Sequence, residues 1–157
     1  GISMAAATLV GRYIGAGELE LVRKSFRSSI VLGTGLALAI ALLFLTIPEV
    51  LIGLFADDPT VLAYAGPLLA VGAFYQYCDA MAIVTDGALR GAGDTTWPFL
   101  ARSALAWFAM LPLAWAFAFP LDGGLTGAWS GGLIAMAALA GLLVYRFRSG
   151  AWQRIRI

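Results

Sequence analysis

The sequence predicts an all-α integral membrane protein with about four complete transmembrane helices and the end of a fifth. The first observation behind this class is composition: of 157 residues, 61% are hydrophobic and only 12% are charged. Soluble domains are about 45–50% apolar and about 25% charged. The second observation is that four nearly uncharged runs each reach the roughly 20 residues that a bilayer-crossing helix needs. A soluble chain of this size has no core large enough for four helices that are apolar on every face.

The chain opens within an apolar segment, "GISMAAATLV", which stops at Gly11 and has neither an initiator methionine nor a signal-peptide n-region. We interpret this segment as the end of a helix that begins upstream, and we expect the chain to be a fragment of a longer protein. The four complete spans follow at about 28–47, 60–86, 98–119 and 124–145.

Basic and acidic segments alternate between these spans. The first loop, the third loop and the C-terminal tail carry Arg12, Arg23, Lys24, Arg27, Arg90, Arg102, Arg146, Arg148, Arg154 and Arg156. The second and fourth loops contain no base and carry Glu49, Asp57, Asp58 and Asp122. Because loops rich in Lys and Arg stay in the cytoplasm, we predict that the basic segments and the C-terminus lie inside. The chain is then a multi-pass protein of the plasma (inner) membrane, with the lipid bilayer as its surroundings.

Scarce residue types exclude several functions. The chain has no histidine, which removes His-based triads, His general bases and most zinc sites. Cys78 is the only cysteine, so an internal disulfide is impossible. The remaining residues include no recognisable pair of a nucleophile and its base. We therefore predict that the protein is not an enzyme. The net charge of +1 gives no reason to expect a nucleic-acid partner.

Small residues recur at the four-residue spacing that lets two membrane helices approach closely. They are Gly127 and Gly131 in "GAWSG", and Gly33, Ala37 and Ala41 in the first complete span. We predict a helix-packing face at both places.

Prolines and aromatic residues also have positional meaning here. Pro67 and Pro112 lie within spans, and each removes a backbone hydrogen bond and invites a kink. Aromatic residues cluster near span ends, which is typical of an interfacial belt; they are Trp97, Trp115, Phe117, Phe119, Trp129 and Trp152.

Two predicted cytoplasmic turns share a motif, "GAGE" at 15–18 and "GAGD" at 91–94. In each, glycine permits a positive φ after one helix, and an acid follows where the next helix begins. We expect Asp94, Thr95 and Thr96 to cap that next helix. Neither copy is a phosphate-binding loop, because the GxxxxGK[ST] pattern and the preceding strand are missing.

The stretch "YQYCDAMAIVTDGALRGAGDTTWPF", residues 75–99, carries two acids on a membrane helix. Asp86 precedes Arg90 by four residues, the favourable order for a helical ion pair, and lies about 6 Å inward of it. We interpret the two as a structural pair at the inner surface, with Asp86 as a secondary candidate for a cation site.

Asp79 lies about 16 Å inward of Arg90, near the middle of the bilayer. An aspartate there costs about 2.5–3.5 kcal/mol, and no base lies within four residues. It must face a polar cavity, bind a cation or be protonated, unless it only hydrogen-bonds a neighbouring helix. Tyr75, one turn earlier, adds an oxygen to a cation shell or is a packed aromatic. We predict Asp79 and Tyr75 as a cation-coupling site, with Asp79 as a possible Na⁺ ligand.

Three motifs now give a resemblance. "ALRGAGDTTWPF" resembles the loop after the tenth helix of multidrug and toxic compound extrusion (MATE) transporters. "LVGRYIGAGELELVRKS" is similar to the segment that leaves their eighth helix, and "VLIGLFADDPTVLAYAGPLL" to their outer stretch between helices nine and ten. The resemblance implies that residues 1–157 are the end of helix eight through helix twelve, within the C-terminal lobe of a twelve-helix transporter.

The resemblance also implies a function. The family exports cationic and amphipathic compounds in exchange for Na⁺ or H⁺ by rocking two six-helix lobes. In its NorM-like branch an acid on the tenth helix helps bind the coupling cation; it matches Asp79, and a tyrosine one turn earlier matches Tyr75. A further ligand from helix seven and the N-terminal lobe of the same polypeptide lie outside this chain.

Two alternatives stay open at this point. A lipid-linked oligosaccharide flippase of related architecture needs cationic residues deep in its cavity, and we find none deep in a span, although the other lobe is able to supply them. A non-transport membrane subunit or membrane-embedded enzyme is the second alternative. Asp79 and Asp86 are about 10 Å apart along the helix, too far for two carboxylates to share a proton.

Overall fold

The computed structural model describes residues 1–54 and 59–154, except for the side chains of residues 59–64 and 154. Every regular element in this part of the chain is helical. The helices are α1 (Ile2–Gly15), α2 (Leu19–Thr46), α3 (Pro48–Gly53), α4 (Pro59–Gly91), α5 (Thr96–Leu105), α6 (Leu111–Ala118) and α7 (Gly124–Arg148). A π-helical turn, Ala106–Met110, joins α5 to α6, and a 3₁₀ turn, Ala151–Arg154, follows α7.

Four of the described helical segments are long and apolar enough to cross a membrane, which confirms the predicted fold class. They are Leu19–Thr46, Ala65–Gly91, Thr96–Ala118 and Gly124–Arg148. The helices extend beyond the apolar runs at several ends. For example, the predicted span starts at position 28, but α2 begins nine residues earlier, at Leu19, because the polar residues before the span are helical as well. Likewise α1 continues past Gly11 to Gly15.

The short helix α3 was not predicted, and a proline explains it. Ring atoms of Pro48 disfavour the helical conformation at the preceding residue. Ile47 accordingly leaves it, at φ −132° and ψ 45°, and α2 ends at Thr46. Pro48 then serves as the first residue of α3, where its missing N–H is not needed. Asp57 and Asp58 of the predicted acidic loop lie outside the described residues.

Helix α4 is central, because it packs against α1, α2, α3 and α7. The third span, made of α5, the π turn and α6, packs mainly on α7. Val10, Val22, Leu89 and Leu143 are fully buried and belong to one core cluster, at the end of the bundle that carries the basic segments. Many large apolar residues elsewhere face outward, as expected for surfaces that contact lipid.

Both predicted small-residue faces lie at close helix contacts. On α7, a Cβ atom at Gly131 would lie 2.6 Å from the backbone of Leu113, and one at Gly127 would collide with Phe117. On α2, a Cβ atom at Gly33 would lie 2.7 Å from a methyl group of Val84. Larger residues at these positions would push the helices apart.

The two glycine turns have the same hydrogen bonds. After α1, the amides of Gly17 and Glu18 donate to the carbonyls of Ile14 and Tyr13; after α4, those of Gly93 and Asp94 donate to Arg90 and Leu89. Gly17 and Gly93 have φ values of 75° and 79°. Each turn is therefore a Schellman motif, in which a left-handed residue closes the helix.

Pro112 affects the third span just upstream of its own position. The amide of Leu111 donates to the carbonyl of Ala106, five residues back, which widens the helix into a π turn. The ring of Pro112 cannot donate to the carbonyl four residues earlier and clashes with it, so a local departure from α-helical geometry is expected there. Pro67, in contrast, lies inside a continuous α4.

Long-range contacts among the basic segments correct several predictions. Asp94 does not cap α5, whose N-terminus has no side-chain cap; instead Arg146 Nε donates to its carboxylate at 2.8 Å. The guanidinium of Arg146 also lies 5.2 Å above the Trp97 ring. Trp152 is only 4% exposed, stacks on Phe147 and donates to its carbonyl. Trp152 is therefore buried in the packed end of the bundle and does not face outward as a belt residue would, whereas the prediction for the half-buried Trp97 stays a prediction.

These contacts place the first loop, the third loop and the end of α7 at one end of the bundle. Phe26 of α2 stacks on Phe147 of α7, with ring centroids 3.9 Å apart. Together with the Asp94–Arg146 pair, this stack joins the segments predicted to be cytoplasmic. That arrangement is what the alternation of loop charges requires.

We expect Gly131→Ala to lower stability, because its new methyl group would meet the Leu113 backbone in a contact that cannot relax easily. Overpacking of this kind costs about 1–3 kcal/mol. The matched control is Gly141→Ala on the same helix, where nothing lies within 4 Å of the added Cβ. Thermal unfolding of the purified full-length polypeptide measures both. Equal melting temperatures for the two variants would show that the α6–α7 contact is loose.

Candidate cation site

Asp79 lies near the middle of α4, eleven residues and so about 16 Å from Arg90 along the helix axis. It lines a groove of about 460 Å³ formed by the start of α1, the middle of α2 and α4. The apolar part of the groove includes Ile2, Leu36 and Ile40. The structure thus gives this acid a cavity near the middle of a helix that is long and apolar enough to cross a membrane.

The polar lining of the groove consists of Ser3, Gln76 and Asp79. The Ser3 hydroxyl donates to the carbonyl of Ile83 at 2.8 Å, so its lone pairs remain available. The Asp79 carboxylate makes no hydrogen bond and no ion pair with any described residue. The site is therefore an unpaired carboxylate with a hydroxyl and an amide along the same groove.

Gln76 and Ser3 were missed by reasoning from the sequence. Gln76 is three residues before Asp79, a spacing that places two side chains on the same side of a helix. That spacing was visible in the sequence, but Tyr75, one turn from Asp79, was assigned to the site instead. Ser3 could not have been found, because only the packing of α1 on α4 brings it to the groove.

Tyr75 lies in a different cavity from Asp79. It lines a smaller space of about 200 Å³ together with Arg102, Met110 and Leu139. Its ring meets Trp129 edge to face, with centroids 5.7 Å apart. Trp129 lies near the end of a span and also packs against Tyr75, a candidate cation ligand on α4.

Arg102 is the unexpected charge of this region. It is the seventh residue of α5, about 9 Å from the start of that helix. It lines the same small cavity as Tyr75, which is one helical turn from Asp79 along α4. The described side chains form no Asp79–Arg102 ion pair within 4 Å. The base therefore lies in the cavity of Tyr75 and is not bound to the acid.

Asp86 is placed quite differently. Arg90 Nη2 donates a hydrogen bond to its carboxylate, and Asp86 is only 6% exposed. It is also close to α1, since a Cβ atom on the adjacent Gly87 would collide with Ser3. Asp86 and Arg90 therefore form a pair at the inner end of α4, and Asp86 has no place in the groove of Asp79.

No group of three or more His, Cys, Asp or Glu side chains that could hold a metal occurs in the described part of the chain. The groove offers one acid with neutral oxygen atoms, which suits a monovalent cation better than a divalent one.

A bundle of membrane-crossing helices with an unpaired acid on its inner side defines a protein class that includes transporters and ion pathways. The particular family follows from comparison with known proteins. The chain belongs to the MatE family, whose match covers residues 1–116. The resemblance to MATE transporters seen in the sequence is confirmed, and the family is one of transporters and not of enzymes.

Individual relatives agree with this assignment. A "Probable multidrug resistance protein NorM" of Pseudomonas putida is 37% identical over 100% of this chain. One of the same name from Thermotoga maritima is 32% identical over 98% of the chain. The "Uncharacterized transporter YisQ" of Bacillus subtilis is 32% identical over 96%. The chain spans only about a third of these curated relatives, 34%, 33% and 33% of their lengths.

Stability should separate the two acids of α4. We expect Asp86→Ala to destabilise the protein by about 1 kcal/mol, because it breaks an ion pair whose arginine is largely exposed. Asp79→Ala should leave the melting temperature unchanged or raise it, because no described partner is lost. Thermal unfolding of both variants in detergent tests this, and a larger loss for Asp79→Ala would make that acid a structural one.

Proposed function

We propose that this chain is part of a secondary active multidrug efflux antiporter, which exchanges cationic or amphipathic compounds for Na⁺ or H⁺ by alternating access. The observation that carries the proposal is the carboxylate of Asp79, which has no partner among the described residues and lines a groove near the middle of a candidate membrane span. Membership of the MatE family and the multidrug-resistance names of its relatives support it.

The proposed coupling ion binds at the Asp79 carboxylate. Hard cations take oxygen ligands, and the Gln76 amide and Ser3 hydroxyl line the same groove. Tyr75 remains a candidate ligand because it is one helical turn from Asp79 on α4, although its ring lines the neighbouring cavity. A bound Na⁺ or proton neutralises the acid, which changes the free energy of exposing this groove to either side of the membrane.

Arg102 is proposed to compete with the coupling cation for the Asp79 carboxylate. Its guanidinium lines the cavity of Tyr75, one helical turn from Asp79 along α4. A cation that enters the groove competes with that charge for the same carboxylate. Such competition favours release when the two groups approach and binding when they separate, so helix movement and ion occupancy are linked.

The rest of the machinery is proposed to come from the remaining two thirds of the polypeptide. This includes the other cation ligands and an N-terminal lobe that forms the opposite wall of the substrate cavity. The protein would lie in the plasma membrane with its basic segments and C-terminus in the cytoplasm, as the distribution of basic residues favours.

The main test is Asp79→Asn in the full-length polypeptide. Loss of the charge with nearly the same shape should reduce ion-driven efflux of a cationic dye at least about tenfold, the effect of about 1.4 kcal/mol. Membrane insertion should be unchanged. The matched control is Asp122→Asn, in an exposed outer turn, which should transport normally. Undiminished efflux by the Asp79 variant in proteoliposomes would refute the proposal, and transport of a polyprenyl diphosphate in place of the dye would favour a flippase.

Arg102→Gln should raise the affinity for the coupling cation by about 5- to 10-fold. The reason is that the cation would no longer be repelled by the guanidinium, a repulsion of about 1 kcal/mol at an effective dielectric constant near 20. Arg102→Lys keeps the charge and serves as the control. The half-saturating Na⁺ concentration, or proton concentration, for the change in tryptophan fluorescence reports the affinity. Weaker binding in the Gln variant would mean that Arg102 holds the site together instead of competing with the cation.

A further inference from the structure

A second cavity, distinct from the cation site, lies between α2 and α7 at the inner end of the bundle. Its volume is about 610 Å³. Three arginines line it: Arg23 and Arg27 from α2, and Arg148 from the end of α7. None of the three pairs with an acid among the described side chains. No acidic residue lines the cavity either, so its rim carries uncompensated positive charge.

The interior of this cavity is apolar. Phe26, Ile30, Met81 and Phe147 line it below the arginines. Arg23 and Arg27 are one helical turn apart, and Ile30 follows one turn deeper towards the bilayer. The cavity therefore changes from positive charge to hydrocarbon along the direction of the membrane normal.

Aromatic contacts hold the cavity in shape. Phe26 and Phe147, each next to one of the arginines in sequence, stack at 3.9 Å and join α2 to α7. Trp152 stacks on Phe147 and closes one side. The arginines are thus presented by a rigid pair of helices, so little ordering of the backbone is needed for a ligand to bind.

We propose that this cavity binds the headgroup of an anionic phospholipid of the inner leaflet. Its phosphate would accept hydrogen bonds from Arg23, Arg27 and Arg148, which suit phosphate because guanidinium groups donate in pairs. Its acyl chains would follow the apolar surface beyond Val31, which lines the cavity and is 61% exposed. Basic pockets between membrane helices on the cytoplasmic side are known to bind such headgroups.

The position of the arginines favours a lipid over a soluble anion. The arginines on both helices lie where the uncharged stretches end, since α2 carries no charge after Arg27 and α7 ends at Arg148. A soluble phosphate would use the charged rim and leave the apolar interior empty. A phospholipid matches both parts.

The test measures phosphatidylglycerol binding to the full-length polypeptide by native mass spectrometry in detergent, with phosphatidylcholine as the neutral lipid. Arg23→Gln/Arg27→Gln should weaken phosphatidylglycerol binding about 30-fold, corresponding to about 1 kcal/mol for each arginine. Arg12→Gln/Lys24→Gln removes the same charge from the same end of the bundle but from outside the cavity. This control should lose less than about threefold.

Arg148→Gln gives an independent reading from the other helix and should cost about fivefold. Unchanged melting temperatures exclude misfolding as the cause of either loss. Equal losses in the cavity and control variants would reduce the effect to diffuse surface attraction and overturn the proposal. Equal binding of phosphatidylcholine, or complete displacement of the lipid by inorganic phosphate, would overturn it as well.

Discussion

Close approach of helix backbones is the constraint on which this structure depends. In lipid there is little hydrophobic gain from bringing two apolar helices together, so tight packing must supply the stability. Gly87 and Gly91 of α4 meet Ser3 and Ala7 of α1 so closely that a Cβ atom at either glycine would collide with them. The same contact brings Ser3 to the groove of Asp79, so that packing and site are built by one interface.

The acids of this chain show how a membrane protein separates structure from function. Asp86 and Asp94 are buried, and each is bonded to an arginine, which offsets the loss of water. Asp79 has a cavity but no such partner among the described residues. An ionisable group that remains unpaired at bilayer depth is expensive, and binding of a cation at this position is a physical reason to keep it.

Features with local causes were predictable from the sequence. The spans follow from apolar length, the Asp86–Arg90 pair from four-residue spacing, and the glycine turns from the need for positive φ. Features that join distant residues were not predictable. Arg146 and Asp94 are 52 residues apart, and the shared cavity of Arg102 and Tyr75 depends on how the third span lies. The interfacial assignment of Trp152 was wrong, because that side chain is buried against Phe147, which in turn stacks on Phe26 of a distant helix.

The arginines complete this division of roles. Arg90 and Arg146 are occupied by buried acids and hold the inner end of the bundle together. Arg102 lines the cavity of Tyr75 and is the proposed competitor of the cation. Only a base without an acidic partner is available to an external anion, and at the basic end of the bundle Arg23, Arg27 and Arg148 meet that condition around one cavity. The basic residues, which in the sequence indicate topology alone, thus divide into structural pairs and bases that have no acidic partner among the described side chains.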